Sequence, residues 1–238
     1  MNLLGDAFAW ITASEQWTGP NALHILLWQQ LYFTAVAVGI AALIAVPAGW
    51  AIGHTGKGRE IAVAVAGAAR ALPSFGLLVL LVLLFGVLHK PEAAIVTFVI
   101  LAIPSLLAGA YAGFEAVDRR VIDAARSMGM TEWQILWRVE VPLGLPLLVG
   151  GLRSAVLQVV ATVTIAAYVN LGGLGLPIIT GLSLRRYEVV LGGAILVALL
   201  ALVLDGLLAL AQQAVVQRGV RASRGEHVTA AKETEPAA

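Results

Sequence analysis

Long apolar runs separated by short polar breaks set the pattern of this chain, and the breaks carry as much information as the runs. Residues 1 to about 23 are mixed, with Trp10 and Trp17 among small and polar residues and only Asp6 and Glu15 charged. That mixture suits an extracytoplasmic interfacial segment with its indoles at headgroup depth, or a loosely ordered terminus. The first run, Ile25 to Gly53, is long enough to cross a bilayer as a helix. The second, residues 61–88, is interrupted by Arg70 and by Leu72-Pro73-Ser74. It reads as a helix that starts at the interface, lets Arg70 snorkel to the headgroups, and crosses after Pro73. A third run covers Ala93 to Phe114, with Pro104 as a tolerated kink. The fourth covers Leu147 to Val169 and the fifth Val189 to Ala211. Between them, Asn170-Leu171-Gly172-Gly173-Leu174-Gly175-Leu176-Pro177 reads as a partly re-entrant or tightly packed loop. Residues 217–238 are polar and charged, and a cytoplasmic tail without fixed structure is expected there. The pattern predicts an all-α integral membrane domain over residues 24–216, with five spans.

The longest polar break before the tail runs from Asp118 to Gln134. Asp118 is placed to cap a helix, and Gly129 to end it in the left-handed conformation. Thr131 and Gln134 form a T-x-x-Q capping box for a second helix, with Met130 and Ile135 at the hydrophobic-staple positions. Pro142 and Pro146 are expected to bend or end the helix beyond that box. The loop of about residues 115–142 is therefore predicted as helix, tight turn, helix. On its first helix Val121, Ala124, Ala125 and Met128 recur at helical spacing, among Arg119, Arg120, Asp123 and Arg126. Two readings of that helix stand: insertion into a groove on a soluble partner, or a solvated connector between spans.

Composition agrees with the pattern. The 238 residues are 60% hydrophobic and 12% charged, against about 25% charged in soluble domains. The net charge of +1 says little; its placement says more. If the Asp118–Gln134 break is cytoplasmic, that side holds Lys57, Arg59, Arg119, Arg120, Arg126, Arg138, Arg218, Arg221, Arg224 and Lys232, while the outside keeps Lys90, Arg185 and Arg186. This asymmetry orients the N-terminus outside and the C-terminus in the cytoplasm. No Lys or Arg precedes Lys57, unlike a signal peptide.

Candidate chemistry is sparse. The chain has no cysteine, and its histidines show no metal-ligand spacing, so no metal site is expected. His54-Thr55-Gly56-Lys57-Gly58-Arg59-Glu60 evokes a phosphate loop but lacks the required Gly and Ser/Thr positions. Arg70, Arg153 and Asp205 fall near the inner ends of their predicted spans, either as an ion pair with Asp205 or snorkelling independently. Gln158, Thr162, Thr164, Tyr168 and Asn170 are candidates for lining a pathway, or for helix–helix hydrogen bonds. The aromatic residues form no cage pattern for a quaternary ammonium group.

Asp123-Ala124-Ala125, Gly129, then Val139, Val141 and Pro142 resemble the EAA motif of binding-protein-dependent ABC transporter permeases: Glu-Ala-Ala, a spaced Gly, and Ile-x-Leu-Pro. The spacing matches; Asp replaces Glu, and two valines replace Ile and Leu. The resemblance covers about Leu31 to Leu210. Leu72-Pro73-Ser74, the run Ala124 to Thr131 and Leu171-Gly172-Gly173-Leu174-Gly175 look most like the osmoprotectant permeases, importers of glycine betaine, carnitine or choline; amino-acid and methionine permeases share much of the layout.

The resemblance implies a five-span type I importer core, methionine-importer-like, whose cytoplasmic helix-turn-helix couples to an ATPase. Arg119, Asp123, Ala124, Ala125, Arg126, Gly129 and Pro142 would carry that coupling. It implies a dimer of ABC ATPases that holds the ATP and Mg2+, a second permease (itself or a sister), and an extracytoplasmic solute-binding protein. The spans would alternate between inward- and outward-facing states. No cofactor is expected on this chain, no catalysis by it, and no nucleic-acid partner. A transporter driven by an ion gradient is the rival, and it would show inverted repeats and mid-membrane ionisable residues.

Overall fold

Pairs of small residues decide how the helices meet. In the computed structural model the backbone is described for residues 2–233, and side chains for residues 2–215 except 65, 69 and 70. Among the described residues the secondary structure is entirely helical. The main elements are α1 (Leu3–Thr12), α2 (Leu23–Thr55), α3 (Arg59–Ala71), α4 (Ser74–Phe85), α5 (Lys90–Glu115), α6 (Arg119–Ser127), α7 (Glu132–Ile135), α8 (Val141–Ile165), α9 (Gly175–Ser183) and α10 (Tyr187–Glu233). The central helix is α5, packed between α2 and α8. Gly109 and Gly113, one turn apart on α5, let the α8 backbone approach. A Cβ added at Gly109 would stand 2.8 Å from Gly151 Cα, and one at Gly113 would stand 2.6 Å from the Gly144 carbonyl oxygen. Across α5, a Cβ added at Gly49 or Gly53 of α2 would meet Ala110 or Phe114 at 2.5 and 2.7 Å. Small residues spaced by four are a standard solution where lipid supplies no hydrophobic drive between helices.

Four stretches are long and apolar enough to cross a membrane: Leu23–Thr55, Val87–Glu115, Glu132–Val169 and Tyr187–Val215. The run expected to form the second span is divided. Pro73 lacks an N–H and disfavours helix before it, so α3 stops at Ala71 and α4 restarts at Ser74. The 12 residues of α4 rise only about 18 Å, against about 30 Å of hydrocarbon.

The fourth run differs in another way. Helix does not begin at Leu147: α7 continues through a π-helical turn, Leu136–Glu140, directly into α8. Pro142, just after the π-helical turn, and Pro146 are both accommodated inside this continuous helix. Arg153 consequently sits midway along α8 rather than near its inner end. Trp10 also departs from expectation. It is buried against α10, where a Cβ added at Gly192 would fall 2.5 Å from the indole. Trp17 stays exposed and donates from Nε1 to the Ile11 carbonyl at 2.8 Å. The tail expected from residue 217 falls on residues whose side chains lie outside the described set.

Candidate functional site: the polar hairpin and the faces around it

Local signals in the sequence build the α6–α7 hairpin. Asp118 accepts from the Arg120 N–H at 2.9 Å and starts α6. Gly129, at φ +82°, ends it. The Met130 N–H donates to the Ala125 carbonyl at 3.2 Å and the Gly129 N–H to the Arg126 carbonyl at 2.9 Å, the two bonds of a Schellman turn. Thr131 then caps α7: its Oγ1 accepts from the Gln134 N–H at 3.4 Å, and Gln134 Oε1 accepts from the Thr131 N–H at 3.0 Å. The turn is thus fixed from both sides.

The two faces of α6 divide differently from the sequence reading. Ala125 is only 2% exposed and packs inside the chain. Val121, Ala124 and Met128 point outward, flanked by the exposed Arg119, Arg120 and Asp123. Arg126 is engaged within the hairpin. Its Nε and Nη2 donate to the two Glu132 carboxylate oxygens at 2.8 and 3.1 Å, and Asp123 lies 3.5 Å from its Nη1. The hydrogen bond to Glu132, seconded by that carboxylate's charge, holds the Arg126 guanidinium above its ordinary pKa.

Behind the hairpin lies a group of titratable side chains that no motif in the sequence joins. His54, at the end of α2, places Nδ1 2.5 Å from Glu140 Oε2 and Nε2 3.7 Å from Glu132 Oε2. Arg59 Nη1 meets Glu115 Oε1 at 2.6 Å. A cleft of about 390 Å3 runs between these groups, α6 and the ends of α2 and α5. Beside it, Trp50, Trp133 and Trp137 pack edge to face, Trp137 with its centroid 5.6 Å from Trp50 and 5.7 Å from Trp133. Clustered indoles at the end of a bundle suit a membrane–water boundary.

In the spans, Arg153 and Asp205 lie side by side between α8 and α10. The Arg70 side chain is outside the described residues. The candidate pathway residues separate. Thr162 is buried and bonds back to the Gln158 carbonyl at 2.8 Å. Thr164 bonds to the Val160 carbonyl at 2.9 Å and accepts from Gln30 Nε2 at 3.2 Å. Asn170, at φ +58°, closes the helical turn after α8. Gln158 remains exposed on α8, with Ser154 and Ala161 on the same stripe, and Tyr168 is exposed in the 3-10 turn Ala166–Val169 that follows. The helical spacing of 154, 158, 161 and 168 carried that signal; Ser154 was overlooked.

A model of the family described as "Binding-protein-dependent transport system inner membrane component" matches residues 37–220. Among curated proteins, the chain is 33% identical to the carnitine transport permease protein OpuCB of Listeria monocytogenes, over 88% of this chain and 94% of that one. It is 34% identical to the osmoprotectant import permease protein OsmW of Salmonella typhimurium, over 84% and 94% of the two chains. Among solved structures, the MetNI methionine ABC transporter in an inward-facing conformation aligns with a TM-score of 0.70 at 24% identity, covering 79% of this chain and 93% of that one.

Proposed function

This chain belongs to the inner-membrane components of binding-protein-dependent transport systems, and from that premise we propose that it forms the translocation pathway of an ATP-driven importer for osmoprotectants of the carnitine, glycine betaine and choline type. The substrate class is supported by relatives such as the carnitine and osmoprotectant permeases that match most of both chains. The methionine-transporter likeness supports the fold alone; an amino-acid or methionine substrate stands as the second reading on the layout that such permeases share in sequence.

In this reading the outward face of α6 enters a groove on an ABC ATPase. The observation that carries it is the exposed Val121, Ala124 and Met128 stripe, bordered by Arg119, Arg120 and Asp123, on a hairpin fixed by a Schellman turn and a capping box. A small apolar stripe permits close approach, and bordering charges set register. Gly129 supplies the turn, and Pro142 seats the hairpin on α8. ATP and Mg2+ are bound by the ATPase pair, and the ATP is hydrolysed there.

Orientation follows from charge placement. The hairpin end is cytoplasmic, the N-terminus and the α9 end lie outside, and α3 with α4 makes the remaining crossing. The exposed stripe of Ser154 and Gln158 on α8, continued by Tyr168 in the turn beyond it, faces the pathway or a second permease, and a solute-loaded binding protein docks outside.

Co-purification tests the docking. The chain with its cognate ATPase is expected to purify as a complex, and Ala124→Asp, which leaves the internal Arg126–Glu132 fork intact, is expected to release the ATPase. Retention of the ATPase by a folded Ala124→Asp variant would sink the assignment of this face. Uptake of labelled carnitine, glycine betaine, choline and methionine into proteoliposomes then decides between the two substrate readings.

A further inference from the structure

The inward side of the hairpin carries a chain of charges that docking through the outward face does not use. Arg126 on α6 forks onto Glu132 at the start of α7. His54, from the end of α2, reaches towards Glu132 with Nε2 and contacts Glu140 with Nδ1. Glu140 is 3% exposed, and His54 is the one side-chain partner that contacts its carboxylate among the described residues. A carboxylate so enclosed costs several kcal/mol unless it is paired. Glu140 is also the last residue of the π-helical turn. Two residues later Pro142 removes an N–H from the helix. The rod from Glu132 to Val169 is therefore least regular between Leu136 and Pro142, and π-turns interrupt helices at functional positions more often than chance. One imidazole thus touches the hairpin with one nitrogen and the irregular turn with the other.

We propose that His54 is a positioning residue that clamps this turn, so that a tilt of the hairpin is passed to α2 as well as to α8. Without the clamp, α2 holds this turn through indole packing, Trp50 against Trp137 and Trp137 against Trp133, so α7 swings more readily about the π-turn and dissipates part of the motion; the neighbouring cleft of about 390 Å3 leaves space for that swing. With it, any bend at the turn either carries the end of α2 along or strips Glu140 of its partner, and the second route is the costly one. The Arg126–Glu132 fork extends the same linkage to the helix that meets the ATPase. The proposal rests on the reading that α6 docks there.

The test uses the assembled transporter, permease with ATPase and binding protein, in proteoliposomes, with labelled carnitine, glycine betaine and choline as probes. ATP hydrolysis and solute uptake are measured together on His54→Ala and His54→Gln, each normalised to assembled complex. His54→Gln keeps a side-chain donor for Glu140 and guards against a variant that fails to fold. Uptake per ATP hydrolysed is expected to drop about ten-fold in His54→Ala, within the usual range of coupling between sites, and less in His54→Gln, with the ATPase still bound in both. Adding Arg126→Ala to His54→Ala is expected to cost little more, because members of one linkage are not additive. Uptake per ATP unchanged from the parent in both variants overturns the clamp, as does a fall in hydrolysis and uptake in strict proportion. If the parent holds no ATPase at all, the docking reading fails instead and takes the clamp with it.

Discussion

Arg153 and Asp205, 52 residues apart in sequence, meet as a two-toothed pair between α8 and α10, with Arg153 Nη2 donating to Asp205 Oδ2 at 2.6 Å. Midway along a membrane-spanning helix, neither group has bulk water to fall back on, and a lone charge there is far more costly than a matched pair. The pair is half-buried and not sealed, so its open side must meet protein or a water-filled path and not lipid. Neutralising one member is expected to do more harm than neutralising both. Asp205→Asn or Arg153→Gln alone should lower the yield and melting temperature of the detergent-purified chain, and the double variant should recover most of the loss. Equal damage from singles and double would show that the pair is not the unit that matters.

The α5–α8 contact gives a sharper steric prediction. A methyl group at Gly113 would sit 2.6 Å from the Gly144 carbonyl oxygen, which is backbone and cannot rotate away. Gly113→Ala is expected to destabilise by about 1–3 kcal/mol, the usual cost of overpacking. Gly39→Ala, where nothing stands within 4 Å of the added methyl, is expected to be neutral or slightly stabilising. Thermal unfolding of the two variants side by side makes the comparison.

Gly129 is a different case, since a methyl there meets nothing within 4 Å and the constraint is its φ of +82° alone. An L-residue in the left-handed region costs about 1–2 kcal/mol. That is too little to unfold the chain and enough to loosen a turn. Gly129→Ala is expected to accumulate normally and to reduce uptake per ATP hydrolysed; unchanged uptake at normal protein levels would remove Gly129 from the coupling machinery.

What the sequence made legible was local. Asp118, Gly129, Thr131 and Gln134 act on neighbours within a few residues, so the hairpin could be read from spacing alone. The beginning of α8 could not. Pro142 and Pro146 read as terminators, and only a widened helical turn from Leu136 to Glu140 lets one helix run through them. Ala124 and Ala125 looked equivalent because adjacent residues on a helix differ by about 100° in direction, and which one faces inward depends on what packs beneath. His54 and Glu140 are 86 residues apart, and Gln30 and Val160 are 130 apart. No period or motif links residues at such separations. The glycines at 49, 53, 109 and 113 did carry a readable spacing of four, and it went unused amid so many small residues.

Gln30 supports the last prediction. It is fully buried in α2, yet each end of its amide is occupied: Nε2 donates to the Val160 carbonyl at 2.9 Å, and Oε1 accepts from the Leu174 N–H at 3.1 Å. Its neighbour Gln29 accepts from the Gly173 N–H at 3.0 Å. Gly173 has φ +76°, and a Cβ there would stand 2.7 Å from Gln30 Oε1, so the loop is shaped to bring its amides onto α2. Gln30→Leu keeps roughly the same volume and leaves the Leu174 N–H without a partner, a cost of about 1–3 kcal/mol. The loss should be local, because α2 remains packed on α5 through Gly49 and Gly53 at its other end. Hydrogen exchange at residues 171–175 is therefore expected to quicken roughly ten-fold for each 1.4 kcal/mol lost, while exchange in α5 stays unchanged. Acceleration spread evenly over both would mean that Gln30 supports the bundle as a whole and not the loop.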